Sequence, residues 1–199
     1  MTDDKLGLNL GCGNLRLPDK DGFKWLNMDN DPSCNPDVLR DVLKGIPFSD
    51  NTFDGVFCSH FLEHFGGQDF IFLMNEIHRV LKPGGQLRLL SPFFKFWGAW
   101  TDPNHRMFFN EHSFEPFWFP SMSSWSMGIR GFYHPVVLEV AEEKEIRVVM
   151  TKVHGDQLDS YRKTVAVQKD GGSFEPDWQA LLKGTKFFAD VGVEDVKKD

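Results

Sequence analysis

The apolar residues of this chain come first in short blocks, each closed by glycine, proline or aspartate. Leu6 to Leu10 is the first, and it breaks at Gly11-Cys12-Gly13. Trp25-Leu26-Asn27-Met28 follows, ends on Asp29 and runs into the turn residues Asn30-Asp31-Pro32. A third block, around Val38 to Val42, leads to Gly45-Ile46-Pro47-Phe48, and a fourth, Phe53 to Cys58, is introduced by Asp50-Asn51. Blocks of this length between turn residues predict buried strands. The pattern changes between Gln68 and Leu81. There Phe70, Leu73, Met74, Ile77 and Leu81 recur at helical spacing and predict an amphipathic helix. Lys82-Pro83-Gly84-Gly85 stops it, and Gln86 to Leu90 predicts a fifth strand. Strands separated by helices or long crossovers predict a mostly parallel sheet covered on both faces.

The second half has a different character. Half of the aromatic residues of the chain lie between Phe93 and Tyr133. Beyond them, Val136 to Val140 and Ile146 to Val153 flank the charged Glu142-Glu143-Lys144 and predict an antiparallel hairpin. Thr164 to Val167 predicts an edge strand, and Trp178 to Leu182 a short helix. The expected organisation is one domain over residues 1–169 with an aromatic-rich insertion at 93–133, followed by a tail or peripheral extension at 170–199.

Composition narrows the class. A chain of 199 residues, 41% hydrophobic and 26% charged, fits a single globular domain with a real core. No apolar run approaches the roughly 18 residues that span a bilayer, and Met1-Thr2-Asp3-Asp4-Lys5 lacks the pattern of a signal peptide. Cys12, Cys34 and Cys58 are odd in number and have no metal-finger spacing, which fits free thiols in a reducing compartment. A cytoplasmic protein without membrane contacts is expected. The net charge of −7 opposes a broad phosphate-gripping face and disfavours nucleic acid as a partner. A small-molecule substrate is expected, and a homo-oligomer stays open.

The Gly11-Cys12-Gly13 turn directly after a strand is the first chemical clue, because glycine permits strained angles and close approach of a ligand. In doubly wound folds such ligands sit beyond the carboxyl ends of the strands. Asp29 closes the next strand 16 residues after Gly13, where a carboxylate can accept hydrogen bonds from two ribose hydroxyls. Asp41, Ile46-Pro47-Phe48, Phe53-Asp54-Gly55-Val56, Leu62-Glu63-His64 and Arg79 to Gly85 follow in order.

Together, "LNLGCGN", "WLNMD", "IPFSDNTFDGVFCSHFLEH" and "EIHRVLKPGGQLRL" resemble the class I S-adenosylmethionine-dependent methyltransferases, in a compact methyltransferase-11-like subgroup. The similarity covers roughly residues 6 to 91. It implies a doubly wound, Rossmann-like α/β fold with a mostly parallel seven-stranded sheet and a C-terminal antiparallel hairpin. It also implies S-adenosyl-L-methionine as cofactor. Asn9, Gly11, Cys12 and Gly13 would then lie by its methionine part, Asp29 would hold the ribose and Asn30 would lie near the adenine. Asp41 with Val42 would line the adenine's polar edge, and Cys58 and Ser59 would face the methionine side.

The chain departs from the common family pattern between Gly13 and Trp25. Only 11 residues separate them, Pro18 and Gly22 among these, so the usual long helix after the glycine turn cannot fit. Nor does a helical pattern precede the first strand. A cover from elsewhere is expected. The segment 93–133 is the candidate, with Trp97, Trp100, Arg106 and Phe108 as substrate-binding residues. Within "TDPNHRMFFNEHSF", His105 is the candidate general base, and His60 is the second.

His60-Phe61-Leu62-Glu63-His64 also matches H-x-x-E-H, the inverted zinc-protease pattern. That chemistry needs the motif inside a long helix, whereas here it follows a strand and precedes Gly66-Gly67, so no metal is expected. Cys12 between two glycines and His78 on the helix read as packing residues. The expected activity is methyl transfer to an oxygen or nitrogen of a small molecule. The alternative is a catalytically inactive, cofactor-binding module with a regulatory or scaffolding role. A nicotinamide dehydrogenase would need G-x-G-x-x-G, and position 16 is Arg16.

Overall fold

The computed structural model describes residues 5–153 apart from residues 21 and 119–120. Seven strands form one mixed sheet: β1 Lys5–Leu10, β2 Phe23–Asp29, β3 Val38–Leu39, β4 Phe53–Ser59, β5 Leu81–Pro92, β6 Tyr133–Ala141 and β7 Glu145–Lys152. Their order is β3-β2-β1-β4-β5-β7-β6. The first five pair in parallel with one another, and β7 runs antiparallel to both β5 and β6. The fold is therefore the doubly wound, Rossmann-like class that the motifs imply, with the antiparallel hairpin at one edge. The order reverses between β1 and β4, which makes the carboxyl ends of these two strands the switch point where ligands bind in such sheets.

Helix α1, Gly67–Val80, buries Phe70, Leu73, Met74, Ile77 and Val80 against one face of the sheet. The same core takes Leu8 and Leu10 of β1, Met28 of β2, Val56 and Cys58 of β4 and Leu87 and Leu89 of β5. Most of the aromatic segment joins this core. Phe93, Phe109, Phe114, Phe117, Trp118 and Phe132 are all buried in it, and Phe70 of α1 packs on Phe109, Phe114 and Phe117. This segment contains α2, Gly98–Thr101, and α3, Met122–Ser126.

Strand side chains alternate between faces, so Phe57 and Leu90 point the other way, where they pack with Leu15, Leu17 and Trp25. Among the described residues, the loop after β1 covers part of this face and no helix does. The 11 residues after Gly13 are too few and too broken by Pro18 and Gly22 to wind one. The third strand is also shorter than the expected 38–42. It ends at Leu39, because Asp41 caps a 3-10 turn over Val42–Lys44 by accepting a hydrogen bond from the Leu43 amide at 3.0 Å. The edge strand expected at 164–167 and the helix expected at 178–182 lie outside the described residues.

Several of the sequence motifs act as ties between elements. Arg79, in the last turn of α1, donates to both carboxylate oxygens of Glu76 at 2.7 and 2.8 Å and to the carbonyls of Ile46 and Phe48 at 2.9 and 2.7 Å. Glu76 in turn accepts from the Ile46 amide at 2.9 Å. This clamp fixes the Ile46-Pro47-Phe48 loop on the helix. Asp54 binds the Leu6 amide and the Lys82 ammonium, at 2.9 and 2.7 Å, and so joins the start of β1 to the start of β5. At Gly85 a Cβ would stand 2.9 Å from the Lys82 carbonyl oxygen and 3.1 Å from that of Phe53, so any side chain there would push backbone aside.

Arg79→Met should remove the loop clamp and cost about 2–3 kcal/mol of unfolding free energy by urea titration, since hydrogen bonds to charged groups are worth roughly that much. The hydrogen bond from Arg79 holds the Glu76 carboxyl below its ordinary value. Its contribution is therefore complete above that ordinary value and is lost as pH falls through the lowered one. The variant should show a correspondingly weaker loss of stability on acidification, and an unchanged acid limb would contradict the clamp.

Candidate functional site

At the carboxyl end of β1 the chain turns through two glycines with positive φ, +68° at Gly11 and +48° at Gly13. At Gly11 a Cβ would fall 2.0 Å from the Phe61 ring, so the ring of Phe61 seats directly on the turn and only glycine allows it. At Gly13 a Cβ would meet nothing within 4 Å. That side of the turn is open space beside bare backbone.

Asp29, at the end of β2, holds this turn. Its carboxylate accepts from the Gly13 amide at 2.8 Å and from the Asp31 amide at 3.0 Å. It is half-buried, and Asn30 beside it is exposed. A carboxylate oxygen has two lone pairs, so Asp29 keeps acceptor capacity toward solvent after making both bonds. Asp41 spends one oxygen on its capping bond and lies 3.7 Å from the Lys44 ammonium through the other. Val42 beside it is buried.

Asn9 lies beneath the turn and is fully buried. Its amide donates to the Leu15 carbonyl at 2.7 Å and to the Asn27 side chain at 2.9 Å, so it anchors the loop from below. Asn27 also accepts from the Leu17 amide at 2.7 Å. The thiol of Cys12 is 3% exposed, and burial followed by the charge of Asp29 pushes it up to about 11. It is no thiolate nucleophile at neutral pH, and only its backbone contributes to the turn. Cys58 is equally buried and its thiol is likewise pushed up by burial. Ser59 next to it, at the end of β4, is partly exposed.

His60 follows β4 with a positive φ of 49°, and its amide is held by the Leu90 carbonyl at 3.0 Å. Its ring stands between two carboxylates. Nδ1 is 3.5 Å from Glu63 Oε1, and Nε2 is 3.3 Å from Glu145 Oε2. The His60 side chain is 37% exposed, so the imidazole sits at the surface of the switch-point end with acidic groups orienting it. Glu145 begins β7, opposite Pro92 of β5. It is eighty-five residues from His60 in sequence, and only the sheet order brings the two together.

The aromatic segment reaches this end of the sheet. The Glu63 carbonyl accepts from the amides of Arg106 and Met107 at 2.8 and 3.0 Å, which ties the segment to the 3-10 turn Leu62–His64. His105 is pinned there: Nδ1 lies 2.7 Å from the Ala99 carbonyl oxygen, its side chain is 8% exposed, and its ring packs edge-on to His64. Trp100 and Phe108 stack with centroids 3.9 Å apart, and the Trp100 indole donates to the Phe94 carbonyl at 2.7 Å. Trp97 is 70% exposed and Trp100 61%. Arg106 is exposed. Thus Trp97, Trp100 and Phe108 are exposed, and most other rings of the segment lie in the core. His78 packs edge-on to Tyr133, and burial pushes it down to about 4. It is a structural residue.

Sequence reasoning missed Phe61, the lid on Gly11, and Glu145, the carboxylate beside His60. The first lay within a quoted motif but without a local signal of contact. The second had no signal short of the sheet order.

Comparison with known proteins agrees with this geometry. Residues 24–89 match the model of a methyltransferase domain family. A stretch of 47 residues is 47% identical to "Probable methyltransferase ltbC" of Aspergillus luteorubrus, covering 23% of this chain. The chain spans only 16% of the length of that relative. The methyltransferase solved as a complex with the Haloferax volcanii Trm112 activator shares the fold with a TM-score of 0.55 at 16% identity, over 76% of this chain and 84% of its own. The cyclase SpnF shares it with a TM-score of 0.55 at 14% identity, over 76% of this chain and 75% of its own. The family match spans β2 to β5, about a third of the chain, and the strand order gives the chain the same Rossmann-like fold as these solved structures.

Proposed function

We propose that the protein is an S-adenosylmethionine-dependent methyltransferase acting on an oxygen or nitrogen of a small molecule. The observation that carries this reading is the Gly11–Gly13 turn at the switch point, with the Asp29 carboxylate bonded to the Gly13 amide at 2.8 Å. The residues fit the cofactor in two respects. Gly13 offers open space beside bare backbone, as close approach of a ligand requires. Asp29 presents a half-buried carboxylate at the end of the neighbouring strand, where a ribose diol can donate two hydrogen bonds. In this reading Asn30 and the Asp41–Val42 corner flank the adenine, and Cys12, Cys58 and Ser59 border the methionine side. Asn9 acts through the turn it supports.

When bound, S-adenosylmethionine supplies a methyl group on an already activated sulfonium. The chain must therefore mainly hold the acceptor in line, exclude water and take up a proton. The exposed Trp97 and the exposed Trp100–Phe108 stack support an acceptor that offers an apolar or ring face, with the exposed Arg106 of the same segment for a polar substituent. His60 is the better base on this geometry. Its ring is partly exposed at the strand ends, and Glu145 and Glu63 stabilise the imidazolium formed when it takes the acceptor's proton. His105 ranks second, because it is nearly enclosed and one ring nitrogen faces the Ala99 carbonyl.

Calorimetry should detect S-adenosylmethionine binding, and Asp29→Ala should weaken it by roughly 10- to 100-fold, the equivalent of about 1.5–3 kcal/mol for a charged contact to the ribose. Equal affinity in a folded variant would remove Asp29 from the ribose, and a wild-type protein that binds nothing would defeat the cofactor reading. Once an acceptor is found by release of S-adenosylhomocysteine, His60→Ala should lower turnover about 10²- to 10⁴-fold with cofactor affinity nearly constant. Unchanged turnover would dismiss His60 as the base.

A further inference from the structure

Glu63 is the only acidic residue buried to 1% exposure among the described residues, and its carboxylate is half used. Oε2 accepts from the Ser91 hydroxyl at 3.1 Å. Oε1 has no hydrogen-bond partner among the described residues, and His60 Nδ1 stands 3.5 Å from it. An ionised carboxylate at this depth is costly unless something positive meets it. The next residue, His64, and His105 of the aromatic segment converge on it. One carboxylate oxygen of Glu63 and one ring nitrogen from each histidine all lie within 4.8 Å of one another.

The second histidine is prepared for a metal. Its Nδ1 lies 2.7 Å from the Ala99 carbonyl oxygen, a contact that places the proton on Nδ1 and leaves Nε2 as a free lone pair. Metal-bound histidines characteristically donate their other ring nitrogen in this way, which fixes tautomer and ring orientation. Asp102 adds a carboxylate at the rim, with Oδ2 3.9 Å from His105 Nε2. Its other oxygen accepts from the Asn104 amide at 2.8 Å, which fixes the carboxylate at that rim.

The geometry points to a divalent transition-metal site, with zinc as the fitting ion, built from Glu63, His64 and His105 and open to water at its fourth position. Two imidazoles and one carboxylate are a donor set that zinc takes tetrahedrally with ligand bonds of about 2.0–2.2 Å, so its ligand atoms stand about 3.3–3.6 Å apart. Atoms within 4.8 Å need to draw in by at most about 1.4 Å to share it, a shift within reach of small side-chain rotations. The pairing differs from the H-x-x-E-H pattern, since His60 turns to Glu145 and the second imidazole comes from beyond β5. It also departs from the sequence expectation of no metal, because neither spacing nor periodicity could bring His105 to Glu63. The backbone bonds from Arg106 and Met107 to the Glu63 carbonyl do so. The ion would clip the aromatic segment to the turn after β4. This proposal does not depend on the cofactor reading.

The test is zinc titration of the full-length, chelator-treated protein, read by calorimetry and by thermal melting, with no substrate or cofactor present. Wild type should bind one equivalent and melt higher with zinc than without, because a ligand bound only by the folded state stabilises it. Glu63→Gln and His105→Asn should each weaken zinc by more than about tenfold, the least that losing even a residue hydrogen-bonded to a ligand costs, and abolish the zinc-dependent rise. Asn at 105 keeps a donor for the Ala99 carbonyl, so a folded H105N protein separates loss of the metal from loss of the segment. His112→Ala, at an exposed histidine paired with Glu115, should bind as wild type does. Absence of saturable binding in wild type, or uptake equal in wild type, E63Q and H105N, would overturn the site. Either result would leave cofactor affinity, measured separately, untouched.

Discussion

No helix follows β1 among the described residues, so the Gly11–Gly13 turn has to be held from outside the loop that contains it. The hold is the Asp29 carboxylate, which accepts from the Gly13 amide and the Asp31 amide and so locks the end of β1 to the end of β2. In a doubly wound sheet a helix normally follows the first turn, and its amino end supplies unpaired amides and a positive dipole there. Here a carboxylate and a pair of buried asparagines take over the positional part of that work. Asn9 and Asn27 hold Leu15 and Leu17 against the sheet face that the missing helix would have covered. The electrostatic part is not replaced, because Asp29 brings negative charge to the turn. Whatever anionic group a ligand carries must find its donors elsewhere, or bind with its charge toward solvent.

The other face of the sheet shows the complementary economy. A single long helix and a segment rich in phenylalanine fill the space, and the buried rings of that segment serve packing first. Its contacts with α1 press its polar stretch, Asp102 to Phe108, onto the ends of β4 and β5, where the Glu63 carbonyl receives two of its amides. The stacked Trp100–Phe108 pair is left at the surface as a consequence. Position and function are thus linked through packing: rings in the core set where the exposed rings stand.

The parts of this structure legible in the sequence are those with local causes. Strands β1, β2 and β4 announce themselves as apolar blocks between turn residues, and α1 through Phe70, Leu73, Met74 and Ile77. Gly11 and Asp29 were identifiable because a glycine turn after one strand and a carboxylate after the next form a sequential pattern. Arg79 and Lys82 were quoted only as parts of a motif, and the structure shows their work is to tie loops and strands. Long-range pairings were not legible. Glu145 meets His60 because β7 inserts beside β5, and His105 meets Glu63 through backbone bonds of an irregular segment. The early end of β3 was missed because the side-chain cap at Asp41 outcompeted an apolar run.

The central claim is that the Asp29-held glycine turn is the cofactor cradle, and crystals grown with S-adenosylhomocysteine test it most directly. The account predicts ligand density at the carboxyl ends of β1 and β2. Both ribose hydroxyls should lie within hydrogen-bond reach of Asp29, about 2.6–3.0 Å, and the homocysteine part should pass along the open side of Gly13. A nucleoside bound away from Asp29, or a glycine turn that stays solvent-filled at saturating ligand, would contradict it.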